Sequence, residues 1–262
     1  MSNVLAPPST INLTVPSRRC WTSLCEHERM ATVVQLSDSH LTRVRSSTPA
    51  GPDAGLERAV AAASDVAPDL VLLTGDIADD GTPEAYRRVG EIVGSLSARI
   101  LATAGNHDDP IAVAAAFGDL VDVRVGSWRI VTHDTTIPGE IPGCVRHEAL
   151  MALLGPDTGR PTLLALHHPP ITMSTHPWFQ TDGGGELVGT LAGRSDVRIV
   201  VSGHLHQSFH VASGGVSYLG APSTWYAIEH HGSEFITGAG EVGATVLNLA
   251  DDGTWTHRVI NR

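Results

Sequence analysis

Five short clusters hold the side chains that could do metal or acid–base chemistry: Asp38-Ser39-His40, Gly75-Asp76, Gly105-Asn106-His107-Asp108, His167-His168 and Gly203-His204-Leu205-His206. Carboxylate, amide and imidazole groups in that number exceed what one divalent ion needs. Two ions sharing a bridging carboxylate would use them all. Such a pair activates a water and clamps the attacking and leaving oxygens of an in-line displacement. Taken singly, each cluster has a plainer reading. Asp38-Ser39-His40 suits a turn, Gly75-Asp76 a helix cap, and Gly105-Asn106-His107-Asp108 an Asx-capped turn. Gly203-His204-Leu205-His206 resists that treatment, because a continuing strand would send both rings to one side. His27, His133, His147, His176, His210, His230, His231 and His257 read as surface or structural.

The element preceding each cluster is what joins them. Short apolar strands are predicted over 31–36, 69–74, 99–103, 162–166 and 197–201, each ending at one cluster. Helical patterns fall between them at 56–67 (stopped by Pro68), 83–97, near 147–154 and at 186–193, with a further strand at 128–132. After residue 208 the texture changes to short β runs, 208–211, 216–219, 244–249 and 254–260, parted by Gly and Asp-Gly turns. These imply a meander or hairpins. Alternating strands and helices followed by hairpins predict a layered α/β domain with one mixed sheet or two packed sheets. In such sheets the carboxyl ends of strands open on a common crevice, so one rim receives all five clusters.

The 262 residues are 42% hydrophobic and 17% charged, which excludes wholesale disorder. No apolar run reaches the length of about 18 residues needed for a membrane span. With 17 basic against 28 acidic residues the net charge is −11, which argues against a nucleic-acid polymer as partner. A small phosphate ester stays open, because a metal supplies the missing positive charge. Cys20, Cys25 and Cys144 are too few and too irregular for a disulfide framework. Residues 1–30 contain Pro7, Pro8 and Pro16 and lack the apolar run of a signal peptide. They are expected to be a poorly ordered extension, or sequence upstream of a start at Met30, with 31–262 as a single domain and a cytoplasmic location.

In order, Asp38-x-His40, Gly75-Asp76, Gly105-Asn106-His107-Asp108, His167 before His168-Pro169-Pro170, and Gly203-His204-x-His206 resemble the calcineurin-like metallophosphoesterase superfamily. The phrases LSDSHL, TGDIAD, GNHDD, LALHHPPI and SGHLH are most similar to bacterial class III cyclic-nucleotide phosphodiesterases. The resemblance, over roughly residues 31–220, implies an αββα sandwich with a dinuclear site at its edge. Carried over by position, Asp38, His40 and His206 hold one ion, Asn106, His167 and His204 the second, and Asp76 bridges both. His167 is preferred to His168 because the family's ligand precedes a residue-then-Pro step. Mn²⁺, Fe or Zn²⁺ all suit this mixed donor set. His107 stands beside a ligand and is placed to protonate a leaving alkoxide or bind a phosphoryl oxygen. The resemblance makes Asp79 its orienting carboxylate, an exposed loop acid being the alternative. Relatives often dimerise, so a homodimer is among the expectations.

Phosphoprotein phosphatases of the superfamily carry Arg directly after that second Asp, where this chain has Asp80. Exchanging a cation for an anion disfavours a dianionic monoester more than a monoanionic diester. The implied reaction is hydrolysis of a small phosphodiester, a 3′,5′-cyclic nucleotide such as cAMP, by a hydroxide bridging the two ions. A broader phosphoesterase acting on glycerophosphodiesters, 2′,3′-cyclic nucleotides or nucleotide pyrophosphates is the alternative, and a non-catalytic nucleotide sensor the more distant one. In the Gly-rich loop 172–186, Trp178 and Phe179 could stack on a base or anchor the loop by packing. Residues 220–226 resemble a segment that approaches the site, although hairpin packing is the simpler reading. Residues 137–146 lie near the expected cleft without an assigned role.

Overall fold

The computed structural model describes residues 30–238 and 240–261. The readings of the N-terminal extension, Cys20, Cys25 and His27 lie outside the described residues. In chain order the strands are β1 (Ala31–Leu36), β2 (Leu70–Thr74), β3 (Arg99–Thr103), β4 (Asp122–Val125), β5 (Trp128–Thr132), β6 (Gly143–Cys144), β7 (Thr162–Ala165) and β8 (Thr181–Asp182). There follow β9 (Val197–Ser202), β10 (Phe209–Ser213), β11 (Val216–Gly220), β12 (Ile228–His231), β13 (Glu234–Thr237), β14 (Ala244–Leu249) and β15 (Trp255–Ile260). The helices are α1 (Pro52–Ser64), α2 (Pro83–Val93), α3 (Pro110–Phe117), α4 (His147–Leu154) and α5 (Gly184–Leu191).

Two mixed sheets carry the architecture, one ordered β15-β14-β1-β2-β3 and the other β10-β11-β9-β7-β5-β4. Their central strands are parallel, β1-β2-β3 in the first and β5-β7-β9-β11 in the second, with antiparallel strands outside them. Parallel strands need crossovers, and the crossover helices cover the outer faces. Alternation then buries both sides of each central strand. In β7, Leu163 points between the sheets with Leu72, Leu101, Ile130 and Ile199, while Leu164 points outward against Leu150 of α4 and Leu187 of α5. In β1, Val33 faces the other sheet and Val34 meets Leu56 and Val60 of α1. The layers are therefore helix, sheet, sheet, helix, the αββα sandwich that the motifs implied. None of the described helices is long and apolar enough to cross a membrane.

Polar side chains tie the sheets at their seam beneath the rim. Gln35 Nε2 donates to Ser202 O at 3.1 Å and to Thr74 Oγ1 at 3.0 Å, and Thr74 Oγ1 donates to Ser37 Oγ at 2.8 Å. The C-terminal hairpins are real but divided between sheets, β10-β11 joining the second and β14-β15 the first. The helix expected at 56–67 runs from Pro52 to Ser64, with Pro in its first turn. The helix expected at 83–97 stops at Val93 and continues as a 3₁₀ turn, and Ser97 is left-handed. Three features were not anticipated: α3 with the following β4, the short β6-β8 pair, and the hairpin β12-β13.

Candidate metal centre

The five clusters meet at one edge. Asp38 and His40 follow β1, Asp76 follows β2, Asn106 follows β3, His167 follows β7, and His204 and His206 follow β9. Asp38, His40, Asp76 and His206 form one group of mutually close donor atoms, and His167, His168 and His204 form another. β9 ends at Ser202, so the strand does not continue and its alternation does not orient His204 and His206. Both histidines are instead left-handed, at φ 67° and 48°. Asp38, His40 and Asp76 are left-handed as well. Five of the seven described non-glycine residues with positive φ are thus candidate ligands. Such backbone costs energy at each position and persists where surrounding structure enforces it. The neighbouring glycines allow the crowding. A Cβ on Gly105 would collide with the Asp76 carboxylate, and one on Gly203 with Ser37 Oγ and Asp38 Oδ2.

Each candidate imidazole has one nitrogen pinned. His40 Nδ1 donates to Asp79 Oδ1 (3.1 Å), His206 Nδ1 to Tyr226 O (2.9 Å), His167 Nδ1 to Thr74 O (2.8 Å) and His204 Nε2 to Trp178 O (2.9 Å). This fixes each tautomer and leaves the other nitrogen as a lone pair. His40 Nε2 and His206 Nε2 face each other at 3.1 Å, with Asp38 Oδ1 3.5 Å from His206 Nε2 and Asp76 Oδ2 3.6 Å from His40 Nε2. At the second pole, His167 Nε2 lies 3.2 Å from Asn106 Oδ1 and 3.5 Å from Asp76 Oδ1. Asp76 therefore turns one oxygen to each pole. Converging lone pairs with no proton between them are repulsive unless a cation sits among them, and imidazole, carboxylate and amide oxygen suit a divalent transition metal. The residues present fit two such ions.

His168 does not compete with His167 for this role. Its Nε2 donates to Ile141 O at 3.1 Å, and its Nδ1 accepts from Thr135 Oγ1 at 2.8 Å. Both nitrogens are satisfied, and burial holds the ring well below the usual histidine range. Burial also pushes Asp38 up to about 6 and His204 down to about 3. At Asp76 burial opposes ionisation, yet His167, His40 and His107 together hold the carboxyl well below its usual range.

Asp79 reaches both His107 Nδ1 at 3.2 Å and His40 Nδ1 at 3.1 Å. Its hydrogen bond raises His107 to about 9, leaving Nε2 of a protonated ring for a ligand in the cleft that His107 lines. Asp80 is turned away. Its oxygens accept from Arg43 N at 2.7 Å and Thr82 Oγ1 at 2.7 Å, so its carboxylate caps a loop and is not among the cleft-lining residues. Asp80 therefore bears on substrate only as a missing guanidinium, and no Lys or Arg lines the described cleft.

The cleft, about 220 Å³, is also lined by Ile141, Trp178, Phe179, Tyr226, Ile228, Phe235 and Thr237. Residues 220–226 approach the site, against the simpler reading: Ser223 Oγ donates to Asp38 O (2.8 Å), and Tyr226 O receives His206. Sequence reasoning gave Asp108 no role, although it is the buried tie between the loops that carry Asp76 and Asn106. Its carboxylate accepts from Ile77 N, Ala78 N, Gly105 N and the Tyr86 hydroxyl at 2.9–3.1 Å. The signal was its place in the GNHDD phrase, two residues past Asn106.

Residues 31–208 match the calcineurin-like phosphoesterase family. A Synechococcus protein named as a probable cyclic nucleotide phosphodiesterase is 35% identical over 202 residues, 73% of this chain and 76% of its own. The 3′,5′-cyclic adenosine monophosphate phosphodiesterase CpdA of Pseudomonas aeruginosa is 33% identical over 235 residues, 84% of this chain and 86% of its own. Among solved structures, a dimetal phosphatase from Danio rerio superposes with a TM-score of 0.66 at 12% identity, over 84% of this chain and 93% of that one. At that identity the superposition speaks for the fold alone. With the match spanning the candidate clusters from Asp38 to His206, the chain belongs to the calcineurin-like phosphoesterase family.

Proposed function

We propose that this chain is a dinuclear metal-dependent phosphodiesterase that hydrolyses 3′,5′-cyclic nucleotides, cAMP foremost, to nucleoside monophosphates. The observation carrying this reading is the make-up of the cleft. The convergent donor atoms and His107 share the cleft with the rings of Trp178, Phe179, Tyr226 and Phe235, and no Lys or Arg lines it. A dianionic monoester would find no fixed guanidinium to receive its extra charge. A small diester carrying a planar ring matches both the donor atoms and the aromatic rings. The names of the Synechococcus and Pseudomonas relatives support the same substrate class.

Asp38, His40 and His206 would hold one ion, Asn106, His167 and His204 the other, and Asp76 would serve both. When bound, divalent ions such as Mn²⁺, Fe or Zn²⁺ supply Lewis acidity toward the phosphoryl group and make water nucleophilic near neutral pH. His107, protonated and held at Nδ1 by Asp79, presents Nε2 to hydrogen-bond a phosphoryl oxygen and to protonate the leaving alkoxide. The shared Asp79 contact fixes this acid relative to His40, so acid and ligand keep one geometry. The same reading puts the place of action in the cytoplasm.

The test compares cAMP, bis-p-nitrophenyl phosphate and p-nitrophenyl phosphate, before chelation, after it, and after metal re-addition. Turnover of both diesters that vanishes and returns with metal, and greatly exceeds monoester turnover, is expected. A clear monoester preference would overturn the reading.

A further inference from the structure

The two neighbouring aromatics of loop 172–186 divide the packing and the exposed surface between them. Phe179 is 6% exposed and is clasped edge-on by His230 (ring centroids 4.5 Å) and Phe235 (5.3 Å), so it anchors the loop. Trp178 is 48% exposed and lines the cleft. The other large apolar residues that are exposed, among those described, are Met30, Val44, Ile111, Leu120, Val121 and Ile236, none aromatic and none lining the cleft.

The indole is exposed but held. His176 stands edge-on to it at 5.2 Å, Phe235 lies beside it at 6.0 Å and 42°, and the Trp178 backbone N–H donates to His176 Nδ1 at 3.2 Å. The loop is tied to the tip of hairpin β12-β13, where Gly232 O accepts from Thr175 N at 2.8 Å and Ser174 Oγ at 3.1 Å. A flat ring fixed in place loses little freedom when another ring stacks on it. Packing needs are already met by Phe179, so burial does not explain why a large indole faces the opening.

We infer that Trp178, flanked by Phe235, is the platform on which the nucleobase of the substrate stacks, and so is the specificity-determining residue of the cleft. This rests on the cyclic-nucleotide reading and names the residue that would recognise the base. Every base has a π face, so such a platform selects nucleotides over base-free sugar phosphates and discriminates weakly among bases. Its backbone carbonyl also receives His204 Nε2, which couples the platform to a candidate ligand, and a side-chain substitution leaves that carbonyl in place.

The experiment is calorimetric binding of AMP and of ribose 5-phosphate, a matched pair with and without a base, to the Mn²⁺-loaded wild type, Trp178→Ala and Trp178→Phe. The wild type should prefer AMP roughly ten-fold or more. Trp178→Ala should lose that preference with its ribose 5-phosphate affinity unchanged, and Trp178→Phe should recover most of it. No AMP preference in the wild type, or one that survives in Trp178→Ala, overturns the platform. Equal weakening of both ligands together with a fall in bound metal also overturns it, by assigning Trp178 to loop structure. Turnover of cAMP by the wild type is read separately. Its absence beside an intact, Trp178-dependent AMP preference sinks the hydrolytic reading and leaves the platform standing.

Discussion

One carboxylate oxygen serving two imidazoles makes Asp79 the point where metal binding and proton transfer touch. Its bond to His107 is the largest reason that ring is raised to about 9, ahead of the opposing effect of burial. A general acid must be protonated, so activity should fall as pH rises through the His107 pKa. Dications nearby lower that pKa, placing the alkaline limb of kcat at or below about pH 9. Asp79→Asn removes the anion that favours the imidazolium, and the limb should move to lower pH. A pH–rate profile checks this, and an unmoved limb would take Asp79 out of the acid's control. His107→Gln should lower kcat for cAMP by roughly 10²–10⁴. Metal content should stay at the wild-type level, because His107 is not among the proposed ligands. Loss of metal in that variant would instead make His107 part of the binding shell.

Between the ends of the strands and the residues they present lies the local backbone, and there the sequence was only partly readable. An apolar run ending in Asp, Asn or His announces a strand and its terminal cluster, which is why β1, β2, β3, β7 and β9 and the clusters that follow them could be placed. The left-handed turns at Asp38, His40, Asp76, His204 and His206 left no such trace, because a positive φ is uncommon even in Asp and His, where it is enriched. α3 (PIAVAAAF) escaped because it is apolar on every side, and periodicity cannot separate a helix from a buried strand without a polar face. The β12-β13 hairpin escaped for the opposite reason, since IEHH and EFIT are half polar and largely exposed. Strands that carry the fold rather than the site give a cleaner prediction. Trp128 in β5 is wholly buried and its Nε1 donates to Ala250 O at 2.8 Å, joining the second sheet to the end of β14 in the first. Trp128→Phe strands that carbonyl and leaves a void, and should cost about 2–4 kcal/mol. Urea unfolding measures the loss, and unchanged metal content would show that it stays within the sandwich.

Across the whole molecule, three apolar interfaces and one polar edge are balanced against each other. The sandwich interior is held by residues such as Leu72, Leu163 and Ile199, which do not depend on the rim. The rim gathers left-handed backbone, facing lone pairs and two carboxylates, all of which favour opening until cations are bound. Metal removal should therefore loosen the edge before the core. Each ion present at about a hundred times its Kd adds about 2.7 kcal/mol to stability, worth roughly 5–10 °C in Tm for a domain of this size. Chelation should lower Tm by that order, and re-addition should restore it. Hydrogen exchange should then locate the change. The amides of Asp38 and His40, bonded to Gly75 O at 3.0 Å and Asp76 O at 2.9 Å, should lose protection on chelation. Those of Val33 and Val34, within β1 and flanked by β14 and β2, should keep it. Equal loss at both places would mean that the edge and the sandwich unfold as one unit, and that the ions hold the fold together as well as the site.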